Sequence, residues 1–206
     1  MEHETTTHCI MIQLNGTWDS GYAYDYHTVR SLHVGVDEYG HDLYTTERTP
    51  MGELLYLLKY KSTWSQTREL VSRIVDMLCS NPQFEQMLSQ VDIILTVPPS
   101  NKYRKLQPVH AIAEELAIRF RKGLQIELLQ NTNTEQVKNL DTPDKYDLVS
   151  ATASIQTYLL QPMCHYLIFD DIFDSGSTLR VYADKLKKFG CQRVSIFTLT
   201  KTKSNR

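Results

Sequence analysis

Apolar residues along this chain fall into short unbroken runs alternating with amphipathic stretches. Residues 91–97 read VDIILTV and residues 166–169 read YLIF, runs of strand length with almost no polar interruption. Val194 to Leu199 forms another. Such runs predict strands covered on both faces, as in parallel sheets. Between them, Val109, Ile112, Leu116 and Phe120 recur at helical spacing behind Pro108, a favoured first helical residue, and Gly123 is expected to end that helix. Leu179, Tyr182, Leu186 and Phe189 make a second stripe, with Lys185, Lys187 and Lys188 in its last turns and Gly190 as its stop. Upstream, a helix after Pro50 carries Leu54, Leu55, Leu57 and Leu58. Another follows Ser65 with Leu70, Val71, Ile74 and Leu78 and stops near Asn81-Pro82. Ile126 to Leu129 predicts a further strand, and the polar, unpatterned residues 130–150 predict a long loop. This order predicts an α/β fold: an open, mostly parallel twisted sheet with flanking helices.

The first fifty residues differ. Alternation in Cys9 to Leu14 and in Tyr22 to Val36, with Tyr39, Tyr44, Gly16, Gly21, Gly35 and Gly40 around it, predicts short antiparallel strands. The expected organisation is a β-rich hood over residues 1–50 and an α/β core over 51–206. The tyrosines are expected to pack the hood's own sheet rather than stack on a ligand. Trp18, Asp19, Tyr26 and His27 are polar-capable neighbours available to line a site.

Composition removes several classes. The 206 residues carry 22 basic and 24 acidic side chains, a net of −2, so no broad field points to nucleic acid or an anionic membrane. The apolar runs are too short to span a bilayer, and the N-terminus lacks a signal-peptide core. Cys9, Cys79, Cys164 and Cys191 are scattered, which suits reduced thiols in the cytoplasm rather than a zinc site or disulfides. The histidines show no metal-ligand spacing, His110 reads as a helix-surface residue, and no serine sits in a nucleophile elbow.

The chemistry is concentrated in residues 166–179, YLIFDDIFDSGSTL. An apolar strand runs into Asp170 and Asp171. After two more apolar residues come Asp174 and the small hydroxyl-rich turn Ser175, Gly176, Ser177 and Thr178, which opens a helix. Backbone N–H donors at a helix N-terminus, together with the helix dipole, suit a phosphate. The carboxylates just upstream suit the hydroxyls of an attached sugar. With the following strand, this is a βαβ unit, whose ligands lie beyond the carboxyl ends of the strands. Ile172 breaks the alternate oxygen ligands of a Ca²⁺ loop, and the chain has no Gly-Lys-Ser/Thr triplet of a Walker loop.

The pattern resembles the signature of type I phosphoribosyltransferases, which bind 5-phosphoribosyl-1-pyrophosphate (PRPP). The series LLYLLKYKS, VDIILTVPPSNKYRKLQPVHAIAEELA and EQVKNL ahead of it resembles the ComF-type branch over about residues 51–203. The chain departs from that branch at Leu106 to Val109 and lacks its zinc ribbon. The resemblance implies that Asp170 and Asp171 hold the ribose hydroxyls, with Mg²⁺ in their reach. It implies that Asp174, Ser175, Gly176, Ser177 and Thr178 cup the 5′-phosphate, Asp174 also assisting at the acceptor. Pro99, Ser100, Asn101, Lys102, Tyr103 and Arg104 would meet pyrophosphate, with Lys102 and Arg104 as counter-charges. Residues 130–150 would form a lid in which Lys138 is either a functional cation or a solvated charge. The implied reaction, in nucleotide metabolism, moves ribose 5-phosphate to a nitrogenous base or amine with loss of pyrophosphate. A homodimer is expected by the same resemblance. A PRPP- or nucleotide-sensing regulatory module, or a hydrolase of a phosphoribosyl compound, would use the same pocket.

Overall fold

The computed structural model describes residues 10–99, 106–132 and 142–203. Strands are numbered along the chain. The central six-stranded sheet has the order β1 (Ile12–Gln13), β2 (Ser20–Tyr26), β10 (Arg193–Lys201), β9 (His165–Phe173), β5 (Ile93–Thr96), β6 (Gly123–Gln125). Every pairing from β2 to β6 is parallel, and β1 is antiparallel at the edge. The expected open, mostly parallel sheet is present.

Its apolar runs are continuous because both faces are covered. Leu167 and Phe169 of β9 join one layer, with Phe197 of β10 and Ile94 of β5. That layer is closed by α1 (Pro50–Tyr56), α2 (Trp64–Cys79), α3 (Pro82–Ser89) and α4 (Pro108–Phe120). Tyr166 and Ile168 of β9 join the other layer with Ile196, under α6 (Ser177–Lys188), α5 (Thr142–Thr152) and the small pair β7 (Leu129–Asn131) and β8 (Ala153–Ile155). Phe169 stacks on Phe197 with centroids 6.0 Å apart, and Phe84 of α3 closes on Phe197 at 4.8 Å. Truncating such a fully buried ring to alanine typically costs about 3–5 kcal/mol, so this aromatic stack is a firm floor beneath the strand ends. No helix among the described residues is long and apolar enough to cross a membrane.

Several elements differ from the periodicity reading. Asn81-Pro82 ends α2 but also starts α3: Asn81 Oδ1 accepts from the N–H groups of Gln83 (3.0 Å) and Phe84 (3.2 Å), and Pro82 occupies the first turn. The residue ending α4 is Arg121, with φ 53°, while Gly123 begins β6. Residues 126–128 therefore lie between β6 and β7 rather than inside a strand. Residues 130–150 are not one loop, since β7 reaches Asn131 and α5 starts at Thr142. Few of the residues of α5 are apolar, so it showed no stripe. Phe189 caps α6 and is 47% exposed, leaving Leu179, Tyr182 and Leu186 to face inward.

The division at residue 50 does not match a sheet boundary. β1 and β2 belong to the central sheet, because the alternation from Tyr22 to Val36 breaks at His27 into β2 and β3 (Thr28–Val36). Among the described residues of the first fifty, β3 and β4 (Asp42–Arg48) form a sheet apart from the central one.

Candidate functional site

β9 does not stop before the acidic pair but runs through it to Phe173. Successive side chains of a strand leave opposite faces, so the two carboxylates straddle the sheet end. Asp170 turns toward α6, where its charge acts on Tyr182 and, added to burial, pushes the phenol well above its usual range. Burial, with the neighbouring Asp171 charge added, pushes the Asp170 carboxyl up to about 7. The parallel register places Thr198 of β10 beside Asp170.

Asp171 meets Lys59 on the other side, Nζ to Oδ2 2.5 Å, with the two side chains 12% and 20% exposed. Lys59 comes from a π-helical turn, Leu57–Lys61, closed by the Ser62 N–H on the Leu57 carbonyl at 2.8 Å. Such widened turns are frequent at functional sites. The start of α1 is lashed to the end of β2, which brings this turn to the sheet. Thr49 Oγ1 donates to the Tyr26 carbonyl (2.6 Å) and accepts from the Gly52 N–H (3.1 Å). A side chain at Gly52 would collide with the His27 carbonyl.

His27 is held at the same edge. Thr200 Oγ1 donates to the Asp171 carbonyl at 3.3 Å, so His27 Nδ1, 3.1 Å from that oxygen, is its donor, and Nε2 carries the lone pair. Burial, then Lys59 and Arg48, keep His27 below its ordinary pKa despite Asp171.

The turn after β9 is tightly braced. The Thr202 N–H donates to the Phe173 carbonyl (2.9 Å), and Thr202 Oγ1 donates to Asp174 Oδ1 (3.0 Å). Ser175 and Ser177 hydroxyls lie 3.0 Å apart. Gly176 takes φ 74°, and a Cβ there would stand 2.5 Å from the Phe173 ring. The helix then opens at Ser177, with its first N–H groups lacking intrahelical partners.

The structure thus gathers Asp170, Asp171, Asp174, Ser175, Gly176, Ser177 and Thr178 on one strand end and turn. Val97 N–H donates to the Phe169 carbonyl at 3.2 Å, so the segment leading to Pro99 continues beside β9. Ser100, Asn101, Lys102, Tyr103, Arg104 and Lys138 lie outside the described residues. Trp18, Asp19, Tyr26 and His27 do not assemble. Trp18 is buried, its Nε1–H on the Leu14 carbonyl and its ring edge-on to Phe173. Asp19 sits at the opposite sheet end, paired with Lys187 at 3.1 Å. His110 is half-buried rather than on the surface, its Nε2 buried without a partner among the described residues.

Sequence reading missed Lys59, Thr96 and Thr198. Thr96 and Thr198 are fully buried, and their hydroxyls have no partner among the described residues. Unmade hydrogen bonds of this kind are costly in a fold alone and mark places where a ligand can complete the set. Among the described residues, no group of three or more His, Cys, Asp or Glu side chains is placed for one metal ion. A carboxylate pair with one half-buried member of raised pKa fits an ion held mainly by substrate oxygens and water, the coordination Mg²⁺ favours.

No family model and no curated protein sequence matches the chain. Among solved structures, an adenine phosphoribosyltransferase aligns with 84% of this chain and 85% of its own, at 9% identity and a TM-score of 0.47. Orotate phosphoribosyltransferase from Aeropyrum pernix aligns over 85% and 76%, at 14% identity and a TM-score of 0.45. Adenine phosphoribosyltransferase from Saccharomyces cerevisiae aligns over 84% and 83%, at 10% identity and a TM-score of 0.46.

Proposed function

We propose that the protein is a Mg²⁺-dependent phosphoribosyltransferase that binds PRPP and transfers ribose 5-phosphate to a nitrogenous acceptor, releasing pyrophosphate. One observation carries the reading: the acidic end of β9 continues through the left-handed Gly176 turn directly into the N-terminus of α6. That sequence of groups suits a sugar phosphate, with ring hydroxyls on carboxylates and the 5′-phosphate on backbone N–H groups.

In this arrangement Asp170 and Asp171 accept hydrogen bonds from the ribose hydroxyls, and Ser175, Ser177 and Thr178 add hydroxyl donors to the phosphate cup. The bond from C1′ to the pyrophosphate oxygen breaks with its electron pair leaving on oxygen. The acceptor nitrogen lone pair forms the new bond, and the acceptor then gives up a proton. Positive charge grows on the ring as the bond stretches, and preorganised carboxylates at the strand ends stabilise it. Mg²⁺, when bound at Asp170 and Asp171, would offset charge on the leaving pyrophosphate. Lys59 keeps the acidic edge from repelling an anionic substrate. The β3–β4 hairpin, a separate two-stranded sheet, is the candidate hood in this reading.

Incubation with PRPP, Mg²⁺ and a panel of purine and pyrimidine bases tests the proposal. At least one base should give pyrophosphate release, lost in Asp170→Asn with Asp171→Asn. PRPP binding without turnover on any acceptor would overturn the transferase assignment and favour a sensor.

A further inference from the structure

The opposite end of the same sheet holds an open cleft of about 360 Å³, bounded by α3 and the amino ends of β2, β9 and β10. From His165 to Asp170 is five residues along β9, about 17 Å at strand rise, so the cleft is separate from the acidic edge. Behind it runs a buried polar wire whose direction the chemistry settles. The Gln90 carbonyl can only accept, so His165 Nδ1, 2.8 Å away, is the donor. His165 Nε2 then accepts from Ser195 Oγ at 2.7 Å, and Ser195 Oγ accepts from Ser20 Oγ at 2.8 Å. His165 and Ser195 are 6% and 1% exposed, whereas Ser20 is half-buried and lines the cleft. Buried polar groups are costly unless satisfied, and here the chain of bonds is complete up to the residue that faces the opening.

The rim supplies donors. Gln83 Oε1 is occupied by the Met11 N–H (3.1 Å), and Gln90 Oε1 by Arg193 Nη2 (3.1 Å). Among the described residues both amides therefore have their NH₂ groups left over, and Arg193 keeps further N–H donors. Asp19, the carboxylate of the lining, is offset by Lys187 and by the Val194 N–H at 2.8 Å. The cleft thus presents a guanidinium and amide donors with its one carboxylate already paired.

We propose that this cleft is a second ligand site, for a small oxyanion-bearing metabolite, held by Arg193, the Gln83 and Gln90 amides and the Ser20 hydroxyl. The assignment stands apart from the reaction proposed at the other edge. The wire makes the site respond to pH. With His165 neutral, the Ser20 proton points inward and its lone pairs face the cleft. Protonation of Nε2 reverses the wire: His165 donates to Ser195, Ser195 to Ser20, and the Ser20 proton turns outward to an anion. Burial holds His165 below its ordinary value, with Arg193 acting in the same direction and the Gln90 carbonyl, Asp92 and Asp19 against it. A bound anion favours the protonated form, so affinity rises as pH falls through that depressed value.

The test is a titration of the isotope-labelled full chain with malonate and, separately, inorganic phosphate, following the His165 ring resonances at pH 5.5 and 7.5. At least one anion should give a saturable His165 response, tighter at the lower pH, which also decides between carboxylate and phosphate chemistry. Arg193→Met, at an exposed position, should weaken it about tenfold or more, the scale of a charge-assisted contact. Ser20→Ala should bind with the pH dependence much reduced, and Asp170→Asn should leave the His165 response intact. A response that fails to saturate at millimolar anion, or that survives Arg193→Met unchanged, overturns the proposal.

Discussion

Lys59 Nζ and Asp171 Oδ2 form a close, largely desolvated ion pair between the π-helical turn behind α1 and the end of β9. The pair ties the N-terminal helix layer to the proposed ribose site. Lys59→Met would leave the Asp171 carboxylate without this partner. The expected loss is about 2 kcal/mol in urea unfolding, below the 3–5 kcal/mol of fully buried pairs because both groups keep some solvent. Lys59→Met with Asp171→Asn should recover much of that loss, and a double-mutant cycle measures the coupling.

Asp170 gives a pH signature. Its carboxyl titrates near 7 when folded and near 3.8 when free. Between those values the folded chain keeps a proton that the unfolded chain has lost, so stability falls as pH rises through the window. Asp170→Asn removes this dependence. Its Tm relative to the parent protein should climb from pH 5 to pH 8, in parallel thermal melts. A flat difference would contradict the raised pKa of this carboxyl.

In the proposed function Mg²⁺ would bind the ionised Asp170 carboxylate, so the Tm gain from Mg²⁺ with PRPP should be larger at pH 8 than at pH 6. Chelation with EDTA should abolish that gain.

Gly176→Ala combines a left-handed φ of 74° with a methyl pressed on the Phe173 ring. About 1–3 kcal/mol of destabilisation is expected from the backbone and the contact together. PRPP affinity by calorimetry should fall with it, because the turn that shapes the proposed phosphate cup must shift.

Thr198→Val should act in opposite senses on stability and binding. Removing a buried hydroxyl that has no partner among the described residues is expected to stabilise the ligand-free protein by about 1 kcal/mol. The same change should weaken PRPP or Mg²⁺ binding if that oxygen completes the site beside Asp170. Equal affinity in the variant would remove Thr198 from the site.

Much of the fold was legible because parallel strands buried on both faces carry long apolar runs, as Ile93 to Leu95, Tyr166 to Phe169 and most of Val194 to Leu199 do. The tight turn that opens α6 was legible too, since Asp174 to Thr178 are neighbours in the chain and their conformation is local. Other features were not. Asn81-Pro82 reads equally as a stop and as a cap, and α5 lacks an apolar stripe. The Tyr22 to Val36 alternation hid the break at His27 that sends β2 and β3 into different sheets.

Order along the chain therefore decided which groups stand together on β9 and the turn behind it, because a run of covalently linked residues carries its own geometry. Register across β9 and β10, and the lashing of α1 to β2, decided that Thr198 lies beside Asp170 and that Lys59 reaches Asp171. The same packing set His165, Ser195 and Ser20 in line at the far end of the sheet. Those contacts join residues distant in the chain, and they arise from how side chains fill the space between layers, which no local periodicity encodes.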